Sequence, residues 1–161
     1  MTERCSGCGL VIAGGDAGCQ AIMDGLALRE MGDARFGGAM RLRVDAYCLQ
    51  HPARYCVSGK SLAAHLMGLG WILDHRGDPR HGSEALRRWL DGAVPIDKPA
   101  LPEFRGRLTI ADVAASAEPL AYRRALEAWG HAVWAAYFGL HGLAEAWIAA
   151  ALAERRAPRH R

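Results

Sequence analysis

Apolar positions recur with helical spacing from about residue 19 to residue 154, and the period-two alternation of a half-buried strand persists nowhere. Ile22, Met23 and Leu26 mark the first set, in a segment from Cys19 to Met31 that Asp16 can cap and Gly32-Asp33 stops. A second helix is predicted over residues 42–51, where Pro52 disfavours helical geometry at His51 and so leaves that histidine at the helix terminus. The third runs from Ser58 or Gly59 to His75 with Leu62, Leu66, Leu69 and Leu73 as a narrow stripe, and Gly77-Asp78-Pro79 ends it. Ser83 caps a shorter helix to Leu90, and a proline-bearing loop fills residues 92–107. Thr109-Ile-Ala-Asp112 has the form of a capping box and opens a short helix. The last predicted helix, residues 118–154, is apolar on most sides, so its middle belongs inside the bundle. Gly130, Gly139 and Gly142 weaken it, which close helix contact or a kink would explain.

These elements predict an all-α protein, a single-domain helical bundle of four to six helices over residues 1–154. A small N-terminal zinc knuckle (residues 1–15) packs on it, and residues 155–161 form a basic tail. A chain of 161 residues can bury about two-thirds of its unfolded surface in one domain, so it needs no disulfide scaffold. No leader-like segment and no apolar run of about 20 residues occurs, which sets the expectation of a cytoplasmic protein with no membrane association. In that reducing compartment five cysteines read as ligands, buried thiols or redox groups. The net charge of +3 depends on four arginines in the final seven residues; without them 20 basic against 17 acidic residues becomes 16 against 17. No nucleic-acid partner is therefore expected. The expected partner is a small-molecule substrate or another protein.

The chemistry concentrates in Cys5-Ser-Gly-Cys8-Gly9, half of a tetrahedral thiolate site with no second CxxC to complete it. The remaining ligands must come from Cys19, Cys48, His51, Cys56 and His65. A closed Cys3His zinc site of Cys5, Cys8, Cys19 and His51 is the preferred set, because Cys19 lies in the first turn of its helix, where the helix N-terminus favours thiolate. Cys48 and Cys56 read as small buried apolar groups held in reserve. A competing arrangement places an open zinc site in the bundle on His51, His65 and His141, with Asp45 as carboxylate support or general base and a metal-bound water as nucleophile. Asp45, Tyr47, His65 and His141 are accordingly the candidate catalytic residues, around a pocket lined by Trp71, Trp129 or Trp134, for hydrolysis or group transfer. In the alternative, regulatory reading, a redox-labile zinc clasp governs binding to a protein partner. The phosphate-loop, HExxH and GxSxG patterns are all missing from the sequence, so those chemistries carry no support.

The run Cys5-x-x-Cys8-Gly9, Cys19, Val44-Asp-x-Tyr-x-x-Gln-His-Pro52, His65-Leu-x-Gly-Leu69, Leu108-Thr-Ile-Ala-Asp-Val113 and Trp129 to Trp134 with His141 and Trp147 resembles a bacterial domain family of unknown function made of small cysteine- and histidine-containing proteins. The resemblance spans nearly the whole chain. It implies a metal-binding protein and supplies no reaction. In that family's pattern a histidine often stands where this chain has Met40, and a longer insert commonly separates the cysteine pair from the third cysteine.

Overall fold

The structure, a computed structural model, describes residues 1–74, 79–92 and 95–156, the first three and last two residues of the latter helical stretches (79–81 and 155–156) through their backbone. The helical class is borne out, with eight α-helices among the described residues and one two-stranded sheet. The sheet was not predicted. Strands β1 (Thr2–Arg4) and β2 (Val11–Ala13) pair antiparallel in the register Thr2 with Ala13, Glu3 with Ile12 and Arg4 with Val11. Three residues are too few to show alternation, and both strands are largely exposed, so no apolar pattern announced them.

Helix α1 (Gly15–Gly32) starts earlier than predicted and is not capped by Asp16. Gly14 takes the N-cap position in a left-handed conformation, and Asp16 turns instead to the knuckle, where it accepts from Ser6 N at 2.6 Å and Ser6 Oγ at 2.8 Å. Cys19 is consequently the fifth helical residue, one turn beyond the helix start. Helix α2 (Met40–Gln50) ends at His51, and Pro52 begins a one-turn helix α3 (Pro52–Tyr55), where its missing N–H costs nothing. Helix α4 (Gly59–Leu73) carries a reciprocal capping box between Ser58 and Ser61.

Helix α5 (Pro79–Asp91) opens before the predicted cap at Ser83, with Pro79 in a first turn that tolerates it. The predicted stop at Gly77-Asp78 and the tail residues 157–161 lie outside the described residues. Helix α6 (Ile110–Ala114) has the expected box, Asp112 Oδ2 accepting from Thr109 N at 2.7 Å. The single long C-terminal helix is replaced by α7 (Pro119–Ala136), a 3-10 turn at Phe138–Leu140 and α8 (His141–Arg156), bent by 68° at the break. Of the glycines in the predicted helix, Gly139 lies within the 3-10 turn and Gly142 in the first turn of α8, while Gly130 serves contact: a Cβ there would lie 2.6 Å from Leu42 Cδ1.

Helix α4 is the centre. Leu62, Leu66 and Leu69 are fully buried toward α2 and α7, whereas Ala63, Met67 and Trp71 are buried against α5 and α8. Trp129 and Trp134 belong to this core and are anchored by hydrogen bonds from their indoles to Gln50 Oε1 at 3.0 Å and Asp74 Oδ2 at 2.8 Å. Among the described residues no single helix is long and apolar enough to cross a membrane; the bent pair α7 and α8 passes that test only when joined.

Candidate metal centre

Four elements converge on one point. Cys5 follows β1, Cys8 lies in the turn before β2, Cys19 projects from α1, and His51 closes α2. The turn is set by Cys5 N–H donating to Leu10 O at 2.7 Å and Gly9 N–H to Cys5 O at 2.9 Å, with Gly9 at φ 80. Gly7 is needed for close approach, since a Cβ there would stand 2.1 Å from His51 Cδ2. Arg105 Nη1 donates to Gly7 O at 3.1 Å from the far side, and Gln50 Nε2 holds that loop through Arg105 O at 2.9 Å and Leu108 O at 2.8 Å.

The donor atoms of Cys5, Cys8, Cys19 and His51 all lie within 4.8 Å of one another. Zinc–ligand lengths of about 2.3 Å to sulfur and about 2.0–2.1 Å to nitrogen give tetrahedral edges of about 3.8 Å between sulfurs and about 3.6 Å between sulfur and nitrogen. Cys8 Sγ and Cys19 Sγ are 3.7 Å apart, and His51 Nε2 is 3.3 Å from Cys5 Sγ and 3.5 Å from Cys19 Sγ. The set is therefore dimensioned for one metal ion. His51 Nδ1–H donates to Tyr47 O at 2.7 Å, which leaves Nε2 with its lone pair directed at the sulfurs, the tautomer a ligand requires. The Tyr47 ring stacks on that imidazole at 4.0 Å, and its hydroxyl donates to Cys19 Sγ at 3.8 Å.

Charge is unevenly shared. Cys8 is pulled down to about 4, chiefly by the hydrogen bond from Cys19, against the cost of burial and with help from His51 and the Leu10 amide. Cys19 moves the other way, through its hydrogen bond with Cys8 and its burial, so in the metal-free cluster the shared proton is drawn toward Cys19. Cys19 also stands as the fifth residue of α1, past the first turn within which the helix dipole acts. Cys5 is raised by burial, although the amides of Cys8 and Gly7 donate toward it. A divalent cation at the centre would override this sharing, since a coordinating thiol is deprotonated outright.

The other predicted residues fall elsewhere. Cys48 and Cys56 are buried core thiols, pushed up by desolvation to about 12 and about 11, and take no part in the cluster. Asp45 and His65 do meet: His65 Nδ1 donates to Asp45 Oδ1 at 2.9 Å, and Arg41 Nε donates to Asp45 Oδ2 at 2.7 Å. Tyr47, two residues on along α2, faces the cysteines instead, and burial raises its hydroxyl well above its ordinary value. His141 stacks on Trp134 at 3.8 Å and donates through Nε2 to Trp134 O at 2.8 Å. The expected catalytic group of Asp45, Tyr47, His65 and His141 is therefore split three ways, and the three imidazoles of the open-site arrangement do not converge. Trp71, Trp129 and Trp134, expected to line a pocket, are buried among core side chains; the cavity beside His51, about 190 Å³, is bounded by Tyr47, Tyr55, Arg54 and Arg105. Gly7 and Arg105 were missed by sequence reasoning. A glycine inside the CxxC was a visible signal, but nothing local to residue 105 points to a partner 98 positions away.

The model of DUF5946, a family of unknown function, matches residues 3–137. The chain belongs to that family. The matched stretch of this DUF5946 protein contains all four convergent residues and ends before His141. No curated protein and no solved structure matches the chain.

Proposed function

We propose that this DUF5946 protein binds one zinc ion through Cys5, Cys8, Cys19 and His51, and that the ion clasps the N-terminal hairpin to the helical bundle. One observation carries the reading: four donors from separate elements lie within 4.8 Å of one another, with Cys8–Cys19, Cys5–His51 and Cys19–His51 at 3.7, 3.3 and 3.5 Å, close to tetrahedral edge lengths. Mixed sulfur and nitrogen donors favour zinc over magnesium or calcium. Four protein ligands complete a tetrahedral shell and leave no open position for a reacting water, so a structural role is favoured over metal-assisted hydrolysis or group transfer. Metal analysis of purified protein is expected to give one zinc per chain, with a zinc-edge absorption spectrum fitted by three sulfurs and one nitrogen. A fitted oxygen ligand, or zinc retained in full by the Cys19→Ala variant, would overturn the closed site.

A second reading, a redox-responsive clasp that alters binding to a protein partner, is supported by the unequal exposure of the cysteines. Cys5 and Cys19 are 1% and 0% exposed, whereas Cys8 is half-buried and borders an open depression with Arg4, Glu103 and Phe104. A peroxide would reach Cys8 first: its sulfur attacks the O–O bond, forming a sulfenic acid and releasing one water once protonated. Cys19 Sγ, 3.7 Å away, then attacks that sulfur; the S–S bond forms, the S–O bond breaks and the second water leaves. Both sulfurs are oxidised and the peroxide is reduced. Stoichiometric hydrogen peroxide is expected to release the zinc and give a Cys8–Cys19 disulfide by peptide mass analysis. Zinc release without that disulfide, or no release, would count against it.

A further inference from the structure

A second site lies at the opposite end of α2, away from the cysteines. A cavity of about 320 Å³ opens between the start of α2, the end of α4 and the outer face of α7. That volume lies within the range of small-molecule sites, which are mostly apolar with a few directing polar groups. Leu42, Ile72, Leu73 and Leu126 form the apolar part of its wall. Arg41 and Arg123 are its cations and Glu127 its acid.

The two arginines are differently engaged. Arg41 is committed, its Nε on Asp45 and its Nη2 on Ala64 O at 3.2 Å. Arg123 is exposed and among the described residues makes only a long bond, Nη2 to Gly37 O at 3.4 Å, with no carboxylate within ion-pair distance. Beside it, α2 begins at Ala39 with no side-chain cap and no acid in its first turn, a terminus that elsewhere attracts negative charge. An apolar cavity whose rim offers a guanidinium that makes no ion pair among the described residues suits a ligand with an apolar body and one anionic end.

We propose that this cavity binds a medium-chain amphipathic carboxylate, its hydrocarbon body against the half-buried Ile72 and Leu73, with the buried Leu42 and Leu126 behind them, and its carboxylate on Arg123. The site is independent of the metal reading. Octanoate is the probe, followed by nitrogen–proton NMR shifts and calorimetry on the full chain with its metal content unchanged. Saturable binding in the millimolar range or tighter is expected, with shifts clustered at residues 38–42 and 123–131. Arg123→Gln is expected to weaken octanoate at least tenfold with an unchanged melting temperature, because the side chain is exposed. Glu127→Gln is expected to tighten it, and octanol to bind at least tenfold more weakly than octanoate. The proposal is overturned if octanoate does not saturate, if its shifts map elsewhere, or if Arg123→Gln and octanol leave affinity unchanged. Tighter binding of octylamine than of octanoate would equally overturn it.

Discussion

Replacing both knuckle cysteines, Cys5→Ser with Cys8→Ser, is expected to yield a protein without stoichiometric zinc whose melting temperature is lower by about 10 °C. The magnitude follows from what the hairpin lacks. Its strands have three residues each, Thr2, Glu3 and Arg4 are exposed, and Val11 is 57% exposed, so little apolar burial holds it. A two-stranded ribbon of that kind is marginal by itself. What fastens it is Ser6 on Asp16, Gly7 O on Arg105 and the four-donor cluster. Structural zinc contributes about 10–16 kcal/mol to wholly metal-dependent peptides. A bundle with its own core around Leu62, Leu66 and Trp129 draws on a fraction of that, and each kcal/mol moves the midpoint of a chain this size by about 2–4 °C. Hydrogen exchange should become fast at the amides of Cys5 and Gly9 while helicity is largely kept. Because binding requires deprotonated thiols and a neutral His51, zinc retention should fall as pH falls and be full at neutral pH. Cys48→Ala with Cys56→Ala serves as control and should keep one zinc. An unchanged melting temperature and a full complement of zinc in the knuckle variant would remove the proposed clasp.

The four convergent residues were legible because each carried a local sign: a CxxCG spacing, a cysteine near a helix start, and a histidine held at a helix end by Pro52. What the sequence could not convey was which side of α2 each polar residue would face. Asp45 and Tyr47 are two positions apart, about 200° around the helix, so one meets His65 and Arg41 while the other meets the cysteines. The break after Ala136 was hidden for a similar reason. Tyr137 is buried with its hydroxyl on Leu49 O at 2.7 Å, so the apolar pattern continues through a turn at which the backbone changes direction. The second face of α4 was underestimated because Ala63 packs there through small size and leaves almost no hydrophobic signal. Here the sequence marks chemistry where ligands are close along the chain, and loses it where geometry depends on helix phase.

Glu30→Ala should destabilise the protein by about 3–5 kcal/mol and, without removing any donor atom, also speed loss of the metal to a chelator. Glu30 and Arg43 form a two-pronged ion pair at 3.0 Å and 3.0 Å with side chains only 6% and 4% exposed, and Tyr122 Oη donates to Glu30 Oε1 at 2.6 Å. Burial and that carboxylate both hold the Tyr122 hydroxyl above its ordinary value, so it stays a donor. Alanine at position 30 leaves the Arg43 guanidinium buried with Met23 Sδ, at 3.1 Å, as a poor remaining acceptor, and an uncompensated buried charge is what sets the size of the penalty. A buried pair replaced as a pair by apolar groups is often nearly neutral, so Glu30→Leu with Arg43→Met should recover most of the loss. The link to the metal centre is geometric. The ion pair fixes α1 against α2, α1 carries Cys19 and α2 ends at His51, whose Sγ and Nε2 must remain near 3.5 Å to share an ion. Urea unfolding and zinc transfer to a colorimetric chelator should therefore move together, worse in Glu30→Ala and recovered in the double variant. A single variant no costlier than the double, or chelator rates indifferent to both, would show that the two contacts act independently and that α1 is held at the site by the donors alone.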